Sequence, residues 1–277
     1  MGIVVVSHSP DLVRAAVSLA LQMVHGPAPR VEVAAGTEGD RLGTDAASVA
    51  DAIVDADSGG GVVVIMDLGS AVLSAEMAVE LLPDPSIQTR LVSAAFVEGI
   101  FAAVIAAAGG ASLDAVARDA EDALSAKATQ LGQTPTSTDA NSAAVAAGTL
   151  GTEEMIINPD GIHARPAALI VGALALLDAQ VRIATETSQQ VSARSPTALM
   201  SLGARMGDTI RIQVDGADQA AALDRIVTLV RNGFGEMRTD PRDQMRAEFV
   251  EARLARPGPP RFHLSLPDTF GPAWQCS

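Results

Sequence analysis

Apolar residues in the first half of the chain fall into short runs, separated by longer stretches where they recur every three or four positions. The runs at 3–6 and 61–66 are continuous and rich in Val and Ile, while those at 31–35 and 91–95 are weaker and carry Glu32 and Ser93. Continuous hydrophobicity of this kind suits strands buried on both faces of a parallel sheet. The stretches between them predict helices over 11–24, 45–56, 71–82 and 97–108, and a fifth over 111–131, with Leu113, Val116, Ala120 and Leu124 near helical spacing. This alternation predicts an α/β fold, an open and mostly parallel sheet with helices on both faces, over residues 1–132.

The pattern then lapses. Residues 133–150 are small and polar, then alanine-rich, without periodicity, and read as a linker. A different order follows in 151–236: a strand at 155–157, a helix opened by His163 and running to about 177, strands at 181–185 and 190–193, a short helix near Ser195, and a strand at 209–214. A last helix carries Leu223, Ile226, Val227 and Val230 on one face. Residues 237–277 contain Pro241, Pro257, Pro259 and Pro260 and are expected to form a short helix over 242–255 and a disordered tail that leaves His263 exposed.

With 277 residues and 48% hydrophobic content, the chain can support two cores. Its apolar runs are broken well before membrane-spanning length, and the N-terminus lacks a basic segment followed by a long apolar one, so a cytoplasmic protein is expected. The lone cysteine, Cys276, excludes a disulfide framework and a cysteine metal site. A net charge of −14, 3% aromatic residues and no tyrosine argue against nucleic acid and anionic membranes as partners. The glycines at 59–61 precede a strand, the wrong order for a phosphate-cradling turn, and no P-loop lysine motif is present, so no cofactor is expected on this chain. His25, at the end of the first helix, is read as a partner of the helix dipole.

The segment Gly161-Ile162-His163-Ala164-Arg165-Pro166-Ala167-Ala168 places an imidazole at the mouth of a helix. Helix N-termini expose N–H groups and partial positive charge to phosphate oxygens, and Pro166 loses nothing in the first turn. Arg165 can clamp phosphoryl oxygens bidentately. These residues closely resemble the active-site segment of HPr, the phosphocarrier of the sugar phosphotransferase system, and residues 191–203 resemble the HPr segment with its second, regulatory serine, here Ser195. The resemblance implies a smaller α+β open-faced sandwich, helices on one side of an antiparallel sheet. Because Pro196 follows Ser195 where HPr proteins usually carry an apolar docking residue, a helix N-cap is the preferred role for Ser195.

His8 and Asp67 both follow apolar runs, so both fall at the carboxyl edge of the expected sheet, where ligand chemistry gathers. A carboxylate on one ring nitrogen fixes the tautomer and frees the other as nucleophile. The stretches Val6-Ser7-His8-Ser9, Gly36-Thr37 with Leu42-Gly43-Thr44, and Met66-Asp67-Leu68-Gly69-Ser70-Ala71 together resemble the N-terminal domain of the DhaM family, which is related to mannose-type IIA domains. DhaM is the phosphotransferase subunit of the phosphoenolpyruvate-dependent dihydroxyacetone kinase. The resemblance implies that His8 delivers phosphate onward, that His163 is the carrier with Arg165 stabilising its phosphate, and that Gly43, Thr44, Gly69 and Ser70 line the His8 site. Implied partners are enzyme I, expected as a separate protein because no such domain follows residue 237, DhaL with ADP and magnesium, and through it DhaK. A homodimer through the N-terminal domain is also implied. Alternatives are a mannose-class sugar transport component with a fused carrier, and a phosphorylation-state sensor acting on a regulator.

Overall fold

The computed structural model describes residues 1–131 and 150–236, except 25, 38–40 and 187. The expectations placed on His25, on most of the linker and on the tail with His263 lie outside the described residues. Four strands, β1 (Gly2–Ser7), β2 (Arg30–Ala35), β3 (Val62–Met66) and β4 (Thr89–Val92), form a wholly parallel sheet in the order β2-β1-β3-β4. Every residue of β1 and β3 is buried. Alternate side chains leave opposite faces of a strand, so each central strand feeds two apolar layers. Ile3, Val5, Val63 and Ile65 pack with α1 (Pro10–Leu21), α4 (Phe96–Ala108) and α5 (Leu113–Glu121). Val4, Val6, Val62 and Val64 pack on the other side with α2 (Ala46–Ala56) and α3 (Gly69–Glu80). The continuous runs in the sequence thus reflect burial on both faces.

The second lobe is an antiparallel sheet of β5 (Leu150–Met155), β6 (Gln180–Thr185), β7 (Val191–Ser192) and β8 (Thr209–Asp215), in the order β5-β8-β6-β7. Val181, Ile183, Ile210, Ile212 and Val214 form a core with α7 (Ala164–Leu174), α8 (Pro196–Ser201) and α9 (Gln219–Arg231). This is the one-sided sandwich implied by the resemblance.

Two elements differ from expectation. The fifth helix breaks at Asp122, whose backbone leaves helical geometry at φ −82°, ψ 1°, and α6 (Ala123–Gln130) continues as a separate element. The break is the point at which the chain turns to bring α6 against α8 of the other lobe. The first strand of the second lobe ends at Met155, with Ile156 and Ile157 beyond it. As an edge strand, β5 carries few buried side chains, whereas Ile156 is a buried core plug held by its N–H on the Asp208 carbonyl at 2.9 Å. Hydrophobicity therefore marked the plug and missed the strand.

The lobes meet within one compact unit, residues 1–237. Helices α4, α5 and α6 face α7 and α8, and Ile105 of α4 is part of the second lobe's core. A side chain at Gly109 would meet Val171 at 2.3 Å, so glycine permits this approach. The Ser195 hydroxyl donates to the Asp119 carboxylate, Thr197 Oγ1 donates to the Asp119 carbonyl at 3.1 Å, and Arg194 Nη1 reaches the Gly109 carbonyl at 3.5 Å.

Candidate functional site

Parallel pairing of β1 with β3 sets Val6 opposite Met66, so His8 and Asp67 emerge together at the carboxyl edge of the sheet. Asp67 Oδ2 accepts the His8 backbone N–H at 2.8 Å and the Ser7 hydroxyl at 2.9 Å. Its Oδ1 lies 2.9 Å from His8 Nδ1 and accepts the Leu68 N–H at 2.6 Å. Burial pushes the Asp67 carboxyl up, but the His8 backbone and ring, the Leu68 N–H and the Ser7 hydroxyl outweigh it and hold Asp67 below its ordinary value. An ionised acceptor assigns the ring proton to Nδ1 and leaves the lone pair on Nε2. The Ser70 hydroxyl, 2.6 Å away, donates to that nitrogen.

Helix α3 starts beside this ring with Leu68 as N-cap and no side-chain cap. The N–H groups of Gly69 and Ser70 have no acceptor among the described residues. They are the free donors with which a helix start binds an anion. Gly43 donates its N–H to the His8 carbonyl at 3.1 Å from a backbone at φ 153°, which favours glycine. The Thr44 hydroxyl bonds Ser74 Oγ at 2.7 Å rather than the ring. Of the residues singled out in the sequence, Asp67, Ser70 and Gly43 therefore touch His8, Gly69 adjoins it through the α3 start, and Thr44 braces α3.

His163 is the N-cap residue of α7, with extended backbone and no side-chain cap bond. The loop before it turns at Gly161, φ 66°, where a side chain would lie 2.1 Å from the Ala204 carbonyl oxygen. Arg165 and Pro166 occupy the first turn. The Ala164 and Arg165 N–H groups lack an acceptor among the described residues, and the exposed Arg165 guanidinium has no partner there. His163 Nε2 lies 3.0 Å from Glu236 Oε1, and Glu236 Oε2 accepts from Asn158 Nδ2 at 2.9 Å. The same Nδ2 donates to the Gly161 carbonyl at 2.7 Å. Ser195 is the N-cap of α8, accepting the Ala198 N–H at 3.0 Å, and no hydrogen bond among the described residues joins it to His163 or His8.

Sequence reasoning missed Ser7, Asn158 and Glu236. Asn158 stands five residues before His163, and Glu236 follows Gly233-Phe234-Gly235, a glycine pair around an aromatic residue directly after α9, which was the one available signal of a sharp return.

The family model for the PTS system fructose IIA component matches residues 2–117, and that for the PTS HPr component phosphorylation site matches residues 152–232. The phosphoryl donor subunit DhaM of Listeria innocua's PEP-dependent dihydroxyacetone kinase 2 is 33% identical over 120 residues, 43% of this chain and 95% of that protein. The DhaM subunit of Escherichia coli K12 is 34% identical over 265 residues, 94% of this chain and 54% of the relative. The chain belongs to the DhaM family. It spans about half the length of the longer DhaM relatives it matches. The HPr half of this DhaM-family chain is also 38% identical over 81 residues to the Treponema pallidum phosphocarrier HPr, covering 29% of this chain and 91% of HPr. The two family matches fall one on each sheet, and each contains one of the two carboxylate-held histidines.

Proposed function

We propose that the chain relays a phosphoryl group in the phosphotransferase system. Enzyme I donates to His163, His163 to His8, and His8 to ADP held with magnesium on DhaL. The ATP so formed phosphorylates dihydroxyacetone bound to DhaK. The observation that carries this reading is the pairing found in each lobe. One imidazole nitrogen is held by a carboxylate, and the ring stands at a helix start whose first N–H groups are vacant.

The chemistry follows from these atoms. A ring lone pair attacks phosphorus in line as the donor N–P bond breaks and its electron pair returns to the donor nitrogen. Little covalent machinery is needed beyond positioning and charge neutralisation. At His163 the neutralising groups are the Ala164 and Arg165 N–H groups and the Arg165 guanidinium. At His8 they are the Gly69 and Ser70 N–H groups and the Ser70 hydroxyl, which turns from Nε2 to a phosphoryl oxygen. Asp67 holds the proton on Nδ1 throughout. Gly43 and Thr44 support the site through the His8 carbonyl and through α3.

No helix among the described residues is long and apolar enough to cross a membrane, and we place the relay in the cytoplasm. We also propose a homodimer through the first lobe, supported by the exposed Leu73, Met77 and Leu81 along one face of α3 and its cap. The relay is tested with labelled phosphoenolpyruvate, enzyme I, DhaL and ADP. Wild type should form ATP. His8→Ala should label at His163 alone and form none, and His163→Ala should not label at either histidine. ATP formation by His8→Ala would overturn the order.

A further inference from the structure

We propose that the first lobe caps the second: its α5–α6 corner occupies the outward face of α8, a surface that a protein bringing phosphate to His163 has to cover. This rests on the relay reading above. A helix of six residues lying on one side of a sheet should show its outward side to water, yet no residue of α8 is exposed. Leu199 belongs to the core of the second lobe. Pro196 and Thr197, both buried, stand in the first turn, and α5 and α6 lie against this helix. The Thr197 hydroxyl, on a residue 2% exposed, finds its acceptor among the described residues only across the junction, at the Asp119 carbonyl. Ser195, just ahead of the helix, donates across the same junction to the Asp119 carboxylate. Lys127 of α6 is tied to Glu98 of α4, so the corner is fixed to the body of the first lobe.

The cap overlaps the approach to His163. In-line transfer brings the donor's phosphorus against the ring, so a donor protein must seat on the surface around it. A standard interface takes about 800 Å² from each partner, a disc of about 16 Å radius. Val171, which meets Gly109 of the first lobe, lies about 12 Å from His163 along α7. The far end of α8 is also close, since the Ala204 carbonyl just beyond it accepts the Ile162 N–H at 2.9 Å. Both covered places fall within a disc centred on the ring, so the first lobe and a protein donor exclude each other. The His163 side chain itself stays 33% exposed and Arg165 lies in the open, which leaves a small phosphate donor free to enter. Contacts built on hydroxyls and carbonyls part readily, because water replaces them. The cap is a cover that opens, and only the open carrier takes phosphate from another protein.

Gly109→Leu opens the cap without touching either histidine site. Its backbone, φ −73° and ψ 0°, suits any residue, but a Cβ there meets Val171 Cγ1 at 2.3 Å. Thr197→Val removes the hydroxyl bond across the junction at nearly constant shape and is a second opening variant. Both full-length variants should scatter as more extended particles and exchange the amides of α8 faster than wild type. With phosphorylated enzyme I as donor, KM should fall about five-fold or more at unchanged kcat, because wild type is held back by its closed population. With phosphoramidate, a donor of a few atoms, all three chains should label His163 at the same rate. An opened variant with the wild-type KM would overturn the proposal, as would a Gly109→Leu chain that scatters as wild type, or equal gains with both donors. Should His163 take no phosphate from enzyme I in any of the chains, the relay reading fails, while scattering and exchange still decide whether the first lobe covers α8.

Discussion

Asp119 makes the contact between the lobes sensitive to pH. Only 8% exposed, it sits on α5 and accepts the hydroxyl of Ser195 from the other lobe. Burial pushes its carboxyl up from 3.8 to about 7; the Ser195 hydrogen bond and Arg118 pull down, and Asp122 adds to the rise. If the lobes part, Asp119 meets water and its ordinary value returns. Between 3.8 and about 7 the docked state therefore holds a proton that the parted state has released. Docking is strongest below the lower value, weakens as pH rises through the interval, and is flat above about 7. At about 1.4 kcal/mol per pH unit, the whole interval amounts to roughly 4 kcal/mol.

Replacing Asp119 by Asn keeps an acceptor for Ser195 and removes the ionisable group. At neutral pH the variant should dock more tightly than wild type, and its docking should lose most of its pH dependence. Small-angle scattering and hydrogen exchange of α4 and α8, followed as pH is raised, would report both. Because α4 runs antiparallel to the strands it covers, its Gly109 end lies at the edge of the sheet opposite His8. The docked lobe contacts both ends of this helix layer, Arg194 at Gly109 and Ser195 at Asp119, whose neighbour Ala120 lies beside Gly99 near the start of α4. Docking that strengthens with rising pH, or an Asn variant with the wild-type pH profile, would refute the reasoning.

Asp67→Asn should cut phosphate acceptance by His8 at least about a hundred-fold, read as the labelling rate from phospho-His163, because the ring loses the carboxylate that fixes its proton. Since the Asp67 value is lowered from 3.8, its contribution is present above 3.8 and lost as pH falls through the lowered value; the Ser7, His8 and Leu68 amide resonances should shift together there. Ser70→Ala should preserve the tautomer at His8, checked by nitrogen-15 spectra, and slow transfer by less than ten-fold or so, since the α3 N–H groups remain. Gly161→Ala places a side chain against the Ala204 carbonyl at positive φ, and should destabilise the second lobe by about 2 kcal/mol or more in a denaturant melt.

What the sequence revealed and what it concealed divide along physical lines. The parallel sheet was legible because β1 and β3 are buried on both faces, which leaves unbroken runs of Val and Ile. The β5 edge strand was not, since few of its side chains are buried and period-2 hydrophobicity has nothing to record. The helix break at Asp122 was equally hidden, because it answers to packing against α8, a helix of the other lobe. The His8 partner could be placed by a topological rule: adjacent parallel strands end side by side, so a carboxylate after one is beside a histidine after the other. No such rule reaches Glu236, which is 73 positions from His163 and is brought back by a left-handed hook.

The two carboxylates act on opposite ring nitrogens, Asp67 on Nδ1 and Glu236 on Nε2, and this asymmetry has a geometric reason. His8 follows a strand and its ring is gripped near the backbone, so its far nitrogen faces the start of α3. His163 is itself the cap of α7, and its far nitrogen is held from outside by Glu236. Each site therefore presents a lone pair where its own helix can neutralise the arriving charge. In the proposed relay, a far nitrogen in one lobe and a near nitrogen in the other would share one phosphorus in line. The carboxylates keep both rings protonated on the side away from phosphorus, so transfer in either direction moves no proton and favours neither site on that account.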